Sequence, residues 1–509
     1  MQSSLLYSGT NWDFSILRRS YDAIERIALD ELELEVYPNR IEIITSEQML
    51  DVYTAHGMPL TYRHWSYGKR FLQHEASYRQ GFSSLAYEVV INSNPCISYL
   101  MEENTATMQA LVIAHAAFGH NHFFRNNHLF RQWTDASAVL DYLEFARSYI
   151  AACEDRHGTS AVERVLDAAH ALSSSGVHRH DGARPLNLKA DQKRERERRE
   201  HDERMFNDLW RTVPGTRPSL DTDHIGERRR LLGLPEENLL YFIEKASPRL
   251  QPWEREVIRI VRLISQYFYP QPQVKLMNEG CATWVHQRIM TRLHETGQID
   301  DAAFLEVLHA TTNVITQPGF DHPAGSGGFN PYALGYAMMS DIERVCVNPT
   351  EEDRNWFPDI AGNGDPTGTL RHAWANFRDE SFVLQYLSPA VMRRFRMFRL
   401  LDDTTAPTLL VDAIHDDAGY REIRRSLSRA YDPAESDPDI QVVDVDLAGD
   451  RRLMLQHRTR LGRLLAERDA QATLAHAAAL WGYEVKLEEI DSATEVVLAT
   501  HTARAPAHR

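Results

Sequence analysis

The sequence predicts a mainly α-helical protein of the α+β class, ending in a small C-terminal α/β module. Three observations predict it. Apolar residues recur at helical spacing through most of the first 400 positions, as in Phe14, Leu17, Tyr21, Ile24 and Ile27, or Val257, Ile260, Val261 and Ile264. Within that part, β-rich runs are confined to Ile41–Thr45 and Leu85–Ile91. From about residue 401, short β-runs at Thr408–Ala413, Gln441–Asp446 and Glu484–Glu489 lie between or beside helical stretches at Arg421–Tyr431 and Arg463–Leu480.

The remaining elements follow in order. Ser46 caps a short helix beginning at Glu47, and Asn92-Ser93-Asn94-Pro95 is a turn. Trp133–Cys153 and Ala161–Leu172 read as amphipathic helices, which closes an N-terminal region at 1–172. Residues 173–234 are polar, Pro/Gly-punctuated and carry DQKRERERREHDER (Asp191–Arg204), so they are expected to form a linker or insertion. A second helical region, 235–400, holds Glu236–Lys245, Trp253–Phe268, Val274–Leu293, Asp301–Thr311, Tyr332–Val345 and Arg371–Leu387. Residues 401–509 form the C-terminal module, with a loose tail from Thr500.

Of the 509 residues, 43% are hydrophobic and 25% charged, the balance of a soluble globular protein. A net charge of −16 argues against a nucleic-acid surface, which needs a basic footprint. No apolar run approaches the roughly 18–20 residues of a membrane span. The opening MQSSLLYSGTNWDFS lacks a secretory pattern, and the four cysteines are widely spaced with no CxxC pair. A cytoplasmic protein with reduced thiols is the expectation.

The stretch most charged with chemistry is LVIAHAAFGHNHFFRNN (Leu111–Asn127), an apolar helix carrying three histidines. Imidazoles buried in such a setting must be hydrogen-bonded, ion-paired or metal-bound. His115 and His120 are five apart, on different faces of a regular α-helix. A π-bulge at Gly119 would bring the two rings to one side. A second stretch, VKLMNEGCATWVHQRIMTRL (Val274–Leu293), places Glu279 and His286 seven apart on one face. Two histidines from one helix and a carboxylate from another make a three-ligand metal site with an open position. The candidate ligands are His115, His120 and Glu279, with zinc as the expected ion and iron as the alternative. His286 is a candidate fourth ligand, an orienting residue or the group for proton transfer, and Glu88, with Glu102 and Glu103, is a candidate base. The bland alternative is a set of core polar residues that satisfy one another.

A strand followed by a histidine-bearing helix, with a later glutamate, resembles the order of zinc peptidases of the zincin type. Their HExxH is here HAAFGH, one residue longer and with Ala116 where the base would stand. The words HWSYGK (His64–Lys69), YEVVINSNPC (Tyr87–Cys96), MEENT (Met101–Thr105), FGHNHFFRNN, QYFYP, MNEG, NPYALG (Asn330–Gly335) and WFPDIAG (Trp356–Gly362) together resemble the bacterial stage V sporulation protein R family. That resemblance implies a role in metabolism of the spore cortex, a peptidoglycan, or in stress response. It also implies partners: a serine protein kinase and a von Willebrand-like protein. Two functions remain open, a cytoplasmic metal-dependent hydrolase and a non-catalytic regulatory or adaptor protein.

Overall fold

The helix that carries the histidines opens at Thr105, whose side chain accepts the Met108 N–H at 3.1 Å and so satisfies one free donor of the first turn. In the computed structural model it runs as α-helix over Ala106–Val112, as π-helix over Ile113–His120 and as α-helix again over Asn121–Asn126. The π segment is buried throughout. The structure describes residues 5–54, 62, 64, 88–179, 232–317, 328–401, 410–413, 416–446, 449–460 and 462–506. Among them no helix is long and apolar enough to cross a membrane. The protein is mainly helical with small sheets, as the sequence predicts.

The chain divides into two units, each assembled from separated segments. The first takes Met1–Pro59, Trp65–Gln132 and Pro270–Ser436. Its sheet has three strands, β1 (Asn39–Ile44), β2 (Glu88–Ile91) and β3 (Cys96–Met101), in the order β1-β3-β2. The central β3 pairs parallel with β1 and antiparallel with β2. The sequence reading missed β3, whose six residues are all buried. A central strand of this kind shows no alternation to find.

At the middle of this unit lies the helix Lys275–Glu295, which packs on the π segment and on the helix Pro331–Val347. Glycines permit both approaches. A Cβ on Gly119 would stand 2.6 Å from the Ala282 Cα, and one on Gly335 would stand 2.3 Å from the Leu276 carbonyl oxygen. Gly280 faces Gly335 in the same crossing, so the words FGH, NEG and ALG record where three helices touch. The asparagines of FGHNHFFRNN are ties. Asn121 bonds the Tyr37 N–H at 2.8 Å and the Tyr37 carbonyl at 2.9 Å, and Asn127 donates to the Trp374 and Phe377 carbonyls. A two-stranded hairpin of β4 (Arg399–Leu401) and β5 (Leu410–Ala413) also belongs here.

The second unit takes Leu60–His64, Trp133–Tyr269 and Asp437–Arg509. Its sheet runs β6 (Ile440–Val445), β7 (Leu453–Thr459), β8 (Val485–Asp491) and β9 (Val497–Ala503) in sequential order. The β7–β8 pair is parallel, joined by the helix Glu467–Trp481. Val442, Leu455, Leu474, Trp481 and Leu487 share one core with Ile150, Val162, Leu166, Leu240, Val257 and Val261. The helices Val139–His157 and Thr159–Ala171, read from sequence as part of the N-terminal region, are thus core partners of the C-terminal sheet. An amphipathic stripe says that a helix is covered, but not by what. Residues 401–436, assigned from sequence to the C-terminal module, fall in the first unit. Strands β7 and β9 were missed, and the expected loose tail is ordered as strand as far as Ala503. Residues 180–231 of the expected linker, and HWSYGK apart from His64, lie outside the described residues.

Candidate metal centre

A π-helix closes its hydrogen bonds from i to i+5, so residues five apart stand one turn above another. That is the spacing of His115 and His120, and their rings meet edge to face with centroids 4.7 Å apart. The distortion expected at Gly119 is present, and it extends over the eight residues Ile113–His120.

Both rings point their Nε2 atoms at Glu88, the first residue of β2. Glu88 Oε1 lies 3.2 Å from His115 Nε2 and 3.7 Å from His120 Nε2. Glu279, from the helix Lys275–Glu295, brings Oε2 to 3.6 Å from His120 Nε2. The histidine side chains are 9% exposed and the two glutamates 15%. Glu88, His115 and His120 each offer a ligand atom within 4.8 Å of the others, the one such group among the described residues. The tightest trio therefore contains Glu88, offered from sequence as a base, while Glu279, offered as a ligand, is adjacent to it.

The opposite edges of the rings are held by neighbours. His120 Nδ1 is 2.9 Å from Asn278 Oδ1, an oxygen that can only accept, so Nδ1 carries a proton and Nε2 is the nitrogen that faces the carboxylates. His115 Nδ1 lies 2.8 Å from His286 Nδ1. His286 thus sits behind His115, at the ring edge away from Glu88, and serves as its support. Burial, then the proximity of His120, pushes His286 down to about 3, which makes it a neutral imidazole at physiological pH and a poor proton donor. Burial, with His120 and His286 adding to it, also drives His115 well below the usual histidine range. A neutral ring is the form in which His115 could bind a metal.

The carboxylates shift the other way. Burial pushes Glu88 well above the usual range, and the neighbouring Glu279 charge adds to it. Burial also raises Glu279, against the opposing pull of His120 and a hydrogen bond with Tyr332. Two glutamate carboxyls and two imidazole nitrogens converge on one buried point, and Glu279 Oε2 among them has no hydrogen-bond partner. The ligand spacing fits a small cation. Donors on a tetrahedral ion at about 2.1 Å stand about 3.4 Å apart, close to the 3.2, 3.6 and 3.7 Å found here. Asn278, Thr311 and Tyr332, which support the cluster, were not singled out from sequence; Asn278 lies within the MNEG word and Tyr332 within NPYALG.

Fold and site define a mainly helical protein with a buried His/Glu cluster of the kind that can hold a metal ion. The SpoVR like protein family model matches residues 11–436 and the SpoVR-like C-terminal domain model matches 438–492, so the chain belongs to the SpoVR family. The join between the two matches falls where the contact units also divide, at Ser436 and Asp437. The chain is 50% identical over 484 residues to a protein of Escherichia coli (strain K12) described as "Uncharacterized protein YcgB", covering 95% of this chain and 94% of that relative. No solved structure matches the chain.

Proposed function

We propose that this protein is a metal-dependent hydrolase whose centre is held by His115, His120 and Glu88, with Glu279 as the proton acceptor. The observation that carries the reading is the convergence of His115 Nε2, His120 Nε2 and Glu88 Oε1 at separations suited to one small cation. Zinc is the preferred ion for a mixed imidazole and carboxylate set, and iron the alternative. When bound, such an ion supplies Lewis acidity that lowers the pKa of water toward about 7. Asn278 and His286 orient the two imidazoles. Glu279 Oε2, without a hydrogen-bond partner, is placed to take a proton beside His120. Compared with the expectation from sequence, Glu88 and Glu279 exchange roles, and of the roles open to His286 this reading takes the support of a ligand. An edge strand, a distorted histidine helix and a glutamate from a later helix support a zincin-like arrangement in the first unit.

Family membership supports a role in cell-wall metabolism of the spore-cortex type or in stress response, acting from the cytoplasm. It likewise supports a serine protein kinase and a von Willebrand-like protein as partners. A regulatory or adaptor role beside those partners is the second reading, favoured by Ala116 in the position where zinc peptidases carry their base. One comparison separates the two. Metal content and turnover of soluble peptidoglycan fragments are measured for wild type, His120→Ala and Glu279→Gln. A hydrolase requires that Glu279→Gln keeps the metal and loses turnover. Metal-loaded wild type without turnover, together with full genetic rescue by Glu279→Gln, supports the adaptor.

A further inference from the structure

The support behind His115 does not stop at His286. His115 Nδ1 and His286 Nδ1 are 2.8 Å apart, and one proton must lie between them. Behind that pair, His286 Nε2 lies 3.2 Å from Thr311 Oγ1, an oxygen left to accept when its own hydrogen goes elsewhere; the proton of His286 is then on Nε2, and the proton between the rings belongs to His115 Nδ1. The Thr311 hydroxyl has one hydrogen to give, and Gln287 Oε1 lies 3.5 Å away to receive it. Gln287 is itself oriented, because its amide nitrogen donates to Thr291 Oγ1 at 3.4 Å.

We propose that Thr311 and Gln287, acting through His286, are positioning residues that set the tautomer of His115 and hold its Nε2 lone pair toward Glu88. The alternative order is the mirror of this one. A proton on His286 Nδ1 would make His115 Nδ1 the acceptor and put the His115 proton on Nε2, facing Glu88, where it blocks ligation. Both rings are buried, and with one proton to each ring only these two orders put a proton between the Nδ1 atoms. Thr311 decides between them. With its hydrogen committed to Gln287 Oε1, its oxygen gives the His286 Nε2–H a partner, and without that oxygen the buried N–H is unsatisfied unless the proton moves to Nδ1.

The consequence for metal binding rests on the proposed centre, whereas the proton order does not, and the test separates them. Nitrogen-15 spectra of histidine-labelled, metal-free protein, assigned with His115→Ala and His286→Ala, report the tautomers directly. The expected result is His115 protonated at Nδ1 and His286 at Nε2 in wild type, with both reversed in Thr311→Val. Affinity for Co²⁺, measured by competition with a chromophoric chelator, should fall at least about tenfold in Thr311→Val, the lower end for loss of a group that orients a metal-binding histidine. Thr311→Ser, which restores the hydroxyl, should bind within about twofold of wild type, whereas a purely packing role for Thr311 would make Ser the poorer replacement. The inference is overturned by the opposite tautomers in wild type, by unchanged tautomers and Co²⁺ affinity in Thr311→Val, or by Thr311→Ser binding as weakly as Thr311→Val. Wild type that takes up no Co²⁺ overturns the metal centre instead, and the spectra still decide the proton order.

Discussion

Gly119→Ala is the sharpest single perturbation, because it opposes two effects of known sign. In an exposed helix the change would stabilise by about 0.5–1 kcal/mol, since alanine loses less backbone freedom than glycine. Here the added Cβ would lie 2.6 Å from the Ala282 Cα and 2.9 Å from its Cβ, where ordinary contact begins at 3.4 Å. Neither atom belongs to a flexible side chain, so the two helices must part by roughly 1 Å, and overpacking of this kind costs about 1–3 kcal/mol. The clash therefore wins, and the net expectation is a loss of about 1–2 kcal/mol. The displacement also falls on the cluster, since His120 follows Gly119 directly and Glu279 is three residues before Ala282. Urea unfolding should show a lower midpoint for Gly119→Ala, and metal titration a weaker site. An unchanged or higher midpoint with unchanged metal affinity would refute the reasoning.

Gly335→Ala should be more damaging still, because its Cβ would meet the Leu276 carbonyl oxygen at 2.3 Å; a variant that expresses and unfolds like wild type would contradict the crossing described above. Asn278→Ala should weaken metal binding by about tenfold without destabilising the fold, because it frees the His120 tautomer; unchanged affinity would mean that the His120–Asn278 bond has no bearing on the site. In the second unit, burial alone would raise Glu244, but Arg262 and then Lys245 reverse this and hold it at about 2, below its ordinary 4.5. The folded state therefore binds fewer protons than the unfolded state over that window. The stabilisation is complete above about 4.5 and disappears as pH falls toward 2. Glu244→Gln should cost about 3 kcal/mol at pH 7, and urea titrations should show the gap to wild type narrowing as the medium is acidified below 4.5. A gap independent of pH would be the contrary result.

The sequence made the histidine pair legible, because a five-residue spacing in an apolar run with a glycine admits few arrangements, and the π segment is the one found. It also placed Glu279 and His286 on the right helix. What it left open is long-range pairing. Glu88 stands 27 residues before His115, and nothing in YEVV distinguishes a ligand from a strand's polar face. Strand β3 was invisible because CISYLM is buried on both faces. The helices of 139–171 have clear amphipathic stripes, yet their partner lies nearly 300 residues on, in the sheet around Leu455 and Leu487. Periodicity reports that a face is covered; only the fold says which surface covers it.

The central claim is that Glu88, His115 and His120 together hold one ion. Elemental analysis of the full chain, purified without chelators, tests it most directly. The account predicts about one divalent metal per chain in wild type and loss of that metal in Glu88→Ala and His120→Ala, both still folded by circular dichroism. Folded wild type without metal, or Glu88→Ala that retains the full complement, would contradict it.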